Sequence, residues 1–337
     1  MTADAQPISN PQARRVSQAP LVVLGEIRTC LLPHTTTLDG QATEDFLSLV
    51  PGARVRRRER PGPLAFSPPR AVGVDCYLAR GTTDAARIVG TVASTAIVVG
   101  GRLAQLSSHT TVVRAPQKRR RAWSHYVGRV GTTEVIGPLP DRAIAERELI
   151  AGYLGASGAT MLDLASICAR KLDELRKSAL LDRKPPLLAP ITRLRWTARM
   201  GGSLGTTVSF RLADEVTRTV HITVRRVEDL PDALRFCEDL AVHDWLLTVI
   251  DAKVRAADGF GGGYGRQIEV LAPVLEHLAH LWMPGGHTPP SMRPLWRDLQ
   301  SEAGFSKQWV TRVEQLERRI AVATYYAARG ELSDDDR

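Results

Sequence analysis

The chain has 337 residues, 43% hydrophobic and 24% charged, with a formal net charge of +9. This is the composition of a globular protein with core enough for about two domains, and it excludes a disordered or fibrous chain. A sequence pI near 9.8 permits an anionic partner such as nucleic acid, a nucleotide or a membrane surface, but does not require one.

Residues 1–20 carry Pro7, Pro11 and Pro20 in polar surroundings and lack the apolar core of a signal peptide. They read as a disordered start to a cytoplasmic protein. The longest uncharged run, Ile88 to Gly101, is too short to span a bilayer as a helix, so no membrane span is expected. Cys30, Cys76, Cys168 and Cys237 are widely spaced and form no metal-type pair, which predicts reduced, mostly buried thiols.

An antiparallel β-rich domain is expected over 21–137. LVVLGEIRTC, Leu21 to Cys30, reads as a first strand. A short helix follows over Thr37 to Leu49, with Asp39 near its start, and RVRRRERPGP, Arg54 to Pro63, is a basic turn segment. Val72 to Ala79 is a second strand. Arg87 to Ala115 reads as a hairpin folded at Gly100-Gly101, a pair suited to a turn that needs positive φ at both positions. A further strand is expected over Thr132 to Ile136.

A helical connector is expected over 138–190. One helix runs from Asp141 to Leu154. A second runs through Lys177, with Thr160 and Asp163 as a capping-box-like start and Leu164, Ile167, Cys168, Leu172 and Leu175 as its apolar face. Pro185, Pro186 and Pro190 mark a linker.

A β-meander-plus-helix domain is expected over 191–330. Three runs alternate: Ile191 to Arg199, Thr207 to Leu212 and Val216 to Arg225. Leu194, Trp196, Ala198, Val208, Phe210, Leu212, Val220, Ile222 and Val224 fall on one side. The other side holds Arg193, Arg195, Thr197, Arg199, Ser209, Arg211, Thr219, His221, Thr223 and Arg225. Such alternation predicts an antiparallel meander with one wet face, its apolar face covered by the next helix.

That helix, Asp229 to Asp258, carries the strongest helical signal. Leu230 is the expected N-cap, Pro231 suits the first position, and Gly259 ends it. Phe236, Leu240, Leu247 and Val254 form one apolar stripe. Leu234, Ala241, Trp245, Val249 and Ala252 form another, so the helix should be packed on two sides. Asp244, Thr248, Asp251 and Arg255 line a strip between them, with His243 inside the first stripe. Asp244, Asp251 and His243 are therefore either an acid/base or metal set, or a structural polar network.

Beyond it, Gln267 to Met283 is helical with Pro273 inside. The last helix starts near Ser306, ends before Gly330, and repeats apolar residues at Trp309, Val313, Leu316, Ile320, Ala323 and Ala327. That seam is short and is expected to be an intramolecular contact. Residues 331–337 are a tail.

The remaining motifs are weak. GGSLG matches G-x-S-x-G, but Ser203 falls between two strands rather than on a strand-to-helix turn. GFGGGYG, Gly259 to Gly265, lacks the Lys-Ser/Thr of a phosphate loop and the third glycine of the dinucleotide pattern, and no cofactor is expected. His277, His280 and His287 are close enough in sequence to be weighed as metal ligands against capping or surface roles. KRRRAWSHY offers Arg119, Arg120, Arg121 and Trp123 as a phosphate- and base-binding patch, to which the basic strand face adds Arg193 and Arg195.

The segments VVLGEIRTCLLPHTT, VGVDCYL, AWSHY, PITRLRWTA and FCEDLAVHDWLLT together resemble an actinobacterial family of about this length, over most of Leu21 to Ala328. The resemblance implies a cytosolic protein with no assigned activity or catalytic residues. It also implies neighbours in the genome, a variant P-loop NTPase and a methyltransferase-like protein, and hence a shared complex. The expectation is an α+β protein that is a non-enzymatic interaction or accessory protein working with proteins encoded nearby. A nucleic-acid or nucleotide-binding module is the first alternative, and an enzyme built on Asp244, Asp251 and His243 the second. Nothing in the sequence sets the oligomeric state.

Overall fold

The computed structural model describes residues 19–80, 84–155, 158–201, 205–259, 263–302 and 304–334. The first segment contains β1 (Val22–Leu31), α1 (Gly40–Leu47), the short β2 (Arg56–Arg58) and β3 (Leu64–Phe66), and β4 (Arg70–Arg80). Then come β5 (Asp84–Val99), β6 (Leu103–Arg114), α2 (Trp123–Val127), β7 (Thr132–Ile136), α3 (Arg142–Gly155) and α4 (Leu164–Arg176). The last part holds β8 (Thr192–Met200), β9 (Thr207–Leu212), β10 (Thr217–Val224), α5 (Leu230–Asp258), α6 (Tyr264–Leu278), α7 (Arg293–Glu302) and α8 (Phe305–Asp334). The fold is α+β.

All ten described strands join one mixed sheet in the order β2-β3-β5-β7-β6-β1-β8-β10-β9, with β4 on the outer part of β5. The segments expected as separate β-rich and meander domains share it. β1 pairs antiparallel with β8 from Val22 opposite Arg199 to Thr29 opposite Thr192. The meander expectation is corrected: β8 and β10 are parallel neighbours, and β9 lies outside, antiparallel to β10. Alternation reports which side chains share a face and is silent on which strand sits beside which. The N-terminal strands are likewise not all antiparallel, because β7 wedges between the splayed ends of β5 and β6 and runs parallel to β6. The β5–β6 hairpin forms as expected, with Gly100 and Gly101 at φ 57° and 63°.

β1 shows how the two faces divide. Val22 and Leu24 pack with Leu149, Tyr153 and Leu164 of α3 and α4, while Val23 and Ile27 pack with Phe236 and Leu240 of α5. Helices therefore cover both faces, with α1, α3 and α4 on one and α5 to α8 on the other. Gly25 sits where the Trp196 indole crosses β1, and a Cβ there would meet ring atoms at 2.2 Å.

α5 is the central helix the sequence predicts, and Trp245 is fully buried while Leu247 packs into two cores. Its cap is Asp229 rather than Leu230, which is already helical. The two contacts divide it along its length rather than by stripes. Leu230, Ala233, Phe236 and Leu240 meet β8, β10 and α7, whereas Trp245, Val249 and Val254 meet α6 and α8. Trp245 Nε1 also donates to Pro190 O at 2.8 Å, which pins the proline linker to the helix. Asp163 alone caps α4, accepting from Ser166 N at 2.9 Å. α8 starts at Phe305 and continues through Gly330 to Asp334, past its expected end. Its Trp309 and Leu316 pack inside the same chain, as the short seam predicts.

Candidate nucleic-acid interface

The α5 polar set comes apart in three directions. Arg218 of β10 donates from Nε to Asp244 Oδ1 at 2.8 Å and from Nη2 to Thr248 Oγ1 at 2.9 Å, with Asp244 buried. Burial pushes the Asp244 carboxyl above the usual range, and the Arg218 charge opposes that push. Asp251 pairs instead with Arg255 at 3.2 Å and Arg312 of α8 at 2.7 Å. His243 is saturated: the Met283 backbone N–H donates to Nε2 at 3.1 Å, so Nδ1 carries the proton and donates to Asp239 O at 2.7 Å. Burial lowers its pKa, and it is a neutral core histidine. These residues link layers, each through partners on a different element.

Asp239, one turn earlier, is a node the sequence reading missed. Its Oδ2 accepts from Thr288 Oγ1 at 2.6 Å and Trp296 Nε1 at 3.1 Å. With Glu238, Arg235, Arg58 and His287 it lines a space of about 20 Å³, room for about one water.

The metal reading of the histidines finds no site. Among the described residues no group of three or more His, Cys, Asp and Glu side chains is placed to hold a metal. His277 is beside Glu276 at 3.9 Å, and His287 lines the space near Asp239. Ser203 and the centre of GFGGGYG lie outside the described residues.

The basic candidates fall into two groups. Lys118, Arg119 and Arg120 are exposed before α2, and the Arg120 guanidinium lies 4.9 Å from the half-exposed Trp123 ring. Arg120 also reaches Asp75 at 3.5 Å, where Arg87 already holds the carboxylate at 3.0 Å and keeps its pKa low. Arg121 donates its backbone N–H to Tyr126 Oη at 3.1 Å. Trp123 lies over Gly73 of β4, and the neighbouring Val72 and Val74 pack toward α3. The patch is thus on the α5 side of the sheet.

Arg193 and Arg195 lie on the opposite side, and both are tied inward. Arg193 forms a close ion pair with the fully buried Glu26 of β1. Arg195 donates to Leu154 O at 3.1 Å and Tyr153 O at 2.5 Å, and its guanidinium lies 4.9 Å from the Tyr153 ring. Burial raises the Glu26 pKa, and the two arginines work against that rise.

Beyond Arg195 the same face opens. α3 packs on β1, β4 and β8, while α5 and α7 hold β10 and β9 from the other side. The register sets out three rows across β8, β10 and β9: Arg195, Thr219, Arg211; Thr197, His221, Ser209; Arg199, Thr223, Thr207. None of the residues of the three strands is acidic. Arg199 and Arg211 make no ion pair among the described residues, and Arg211 is exposed. His221 Nδ1 is 2.9 Å from Thr197 Oγ1, and burial with the Arg211 and Arg199 charges holds its pKa below the ordinary range. Arg199, Arg211 and His221 were legible only as members of a wet face. The missing signal was the complete lack of carboxylates along three consecutive strands.

Compared with known proteins, the chain matches no family model, no curated protein and no solved structure.

Proposed function

We propose that this protein is a non-enzymatic accessory protein that binds the phosphate backbone of nucleic acid on the open face of β8, β10 and β9. The carrying observation is that face itself: two arginines without ion pairs among the described residues, a histidine and four accessible hydroxyl side chains, Thr207, Ser209, Thr219 and Thr223, with no carboxylate on the three strands. Hydroxyls and guanidinium groups are the usual donors to phosphate oxygens and carry no sequence information. Among the described residues the face has no exposed aromatic ring for stacking bases, which favours duplex over single strands.

The α5 groups offered as an acid/base set are each engaged by a separate internal partner, which supports a binding role over catalysis. As an accessory protein it also contacts the products of neighbouring genes, a part of the reading that co-purification tests separately.

Salt dependence of DNA binding is the test. Each arginine that meets a phosphate should contribute about one unit to the slope of log affinity against log salt, so Arg199→Ala with Arg211→Ala should flatten it by about two. If that double variant binds as the parent does, while Arg119→Ala with Arg120→Ala abolishes binding, the contact lies at α2 instead. The exposed Trp123 would then make single strands the better ligand.

A further inference from the structure

The middle of the open face carries a more specific arrangement. His221 stands at the centre of the nine positions, with Thr197 and Ser209 directly opposite on the flanking strands and Arg199 and Arg211 on two diagonals. Directly opposite side chains start about 5 Å apart and diagonal ones about 7–8 Å apart, within the reach of an arginine. The bond between His221 Nδ1 and Thr197 Oγ1 fixes the ring and leaves Nε2 without a partner among the described residues. Three groups with unspent hydrogen-bonding capacity therefore surround one position on the surface.

We propose that His221, Arg199 and Arg211 form one phosphoryl-binding subsite that takes up a proton together with its ligand. The inference rests on the phosphate-backbone reading above and deepens it.

The charges around His221 make the coupling. Arg195, Arg199 and Arg211 face it from the adjacent strands, its strand neighbours Thr219 and Thr223 are neutral, and no acid faces it from any of the three strands. Arg195 is partly compensated by Glu26, at 3.8 Å, whereas Arg199 and Arg211 have no acid partner among the described residues. In the free protein partial burial, with the Arg211 and Arg199 charges, holds the imidazole neutral to lower pH than usual. A phosphoryl group placed between the two arginines supplies the negative charge the face lacks. It cancels their repulsion and favours an N–H at Nε2, so the imidazolium becomes the better bound form. The sign follows: the folded, unliganded histidine titrates below 6.5, the liganded one higher, and binding tightens as pH falls through that interval.

The test uses the full chain and a short labelled DNA duplex, titrated at constant ionic strength from pH 7.5 to 5.5. One coupled proton gives a gain in affinity approaching tenfold per pH unit. His221→Gln, which keeps a partner for Thr197, should lose the affinity gained at low pH and give a flat pH profile, at an unchanged melting temperature. A flat profile in the parent protein, with salt-dependent binding intact, overturns the inference and leaves the phosphate-backbone reading standing. A pH slope that survives in His221→Gln overturns it as well. Parent-like binding by the Arg199→Ala, Arg211→Ala double variant defeats the reading beneath it. Inorganic phosphate should displace the duplex more than chloride does at equal ionic strength; equal displacement means that no phosphoryl subsite exists.

Discussion

Arg218 on β10 and Asp244 on α5 meet at 2.8 Å with both side chains buried, so the strand next to the edge of the sheet is bolted to the central helix by an ion pair. Asp244→Ala leaves a buried guanidinium with a lost partner, and the expected loss of stability is about 3–5 kcal/mol. Replacing both residues by leucine should cost less than the single change. Chemical denaturation of the three proteins decides it, and a single variant as stable as the parent contradicts the burial of the pair.

Gly25→Ala should destabilise the protein by about 1–3 kcal/mol, the usual cost of overpacking a closed core. The added methyl group would stand 2.2 Å from the Trp196 ring, which has no room to retreat. Combining it with Trp196→Leu should cost less than the sum of the two changes, as expected for residues in contact. Strict additivity in the melting temperatures would refute the contact.

His109 is buried beside the Arg235 charge, and its pKa is pushed down to about 4 from 6.5. The unfolded chain takes up a proton near 6.5 that the folded chain refuses until about 4, so stability from this residue is present above that interval and lost as pH falls through it. The full difference is about 3 kcal/mol. Denaturation at pH 7 and pH 4.5 should show the loss, and His109→Gln should lose less between the same two pH values.

Thiol labelling should be slow in the native protein. Burial raises Cys30 to about 12 and Cys76 to about 11, and it raises Cys168 and Cys237 as well. Little thiolate exists at neutral pH under those conditions. Cys76, the least buried, should react first with a disulfide reagent, and the other three only after denaturant is added. Rapid native labelling of Cys237 would contradict the packing of α5.

Most elements were legible in the sequence, because period-2 and period-3.6 patterns survive any tertiary arrangement; β2, inside the expected basic turn segment, and the short β3, α2 and α7 were not, since each is too brief to show a period. Partnership was not. Nothing local in Leu194 or Val220 says that β8 and β10 run side by side and parallel. The same gap explains the site. Arg193, Arg195, Arg199 and Arg211 are equivalent by alternation, and what separates them is Glu26, which stands opposite Arg195 only because β1 pairs with β8. For α5, burial of Asp244 and His243 could be read from the pattern. Their separation could not, since each finds its partner on a different element: Arg218 on the sheet, Met283 beyond α6.

The β1–β8 pairing also has a consequence for synthesis. One side of β1 can be occupied by β6 as soon as residue 114 has left the ribosome, but its other side waits for residues 192–199. Until then an emerging polypeptide displays a long apolar strand with an unsatisfied row of backbone groups, the kind of template that invites pairing with another chain. Translation that stalls in the proline-rich stretch just before β8 would hold the nascent protein in its most aggregation-prone condition.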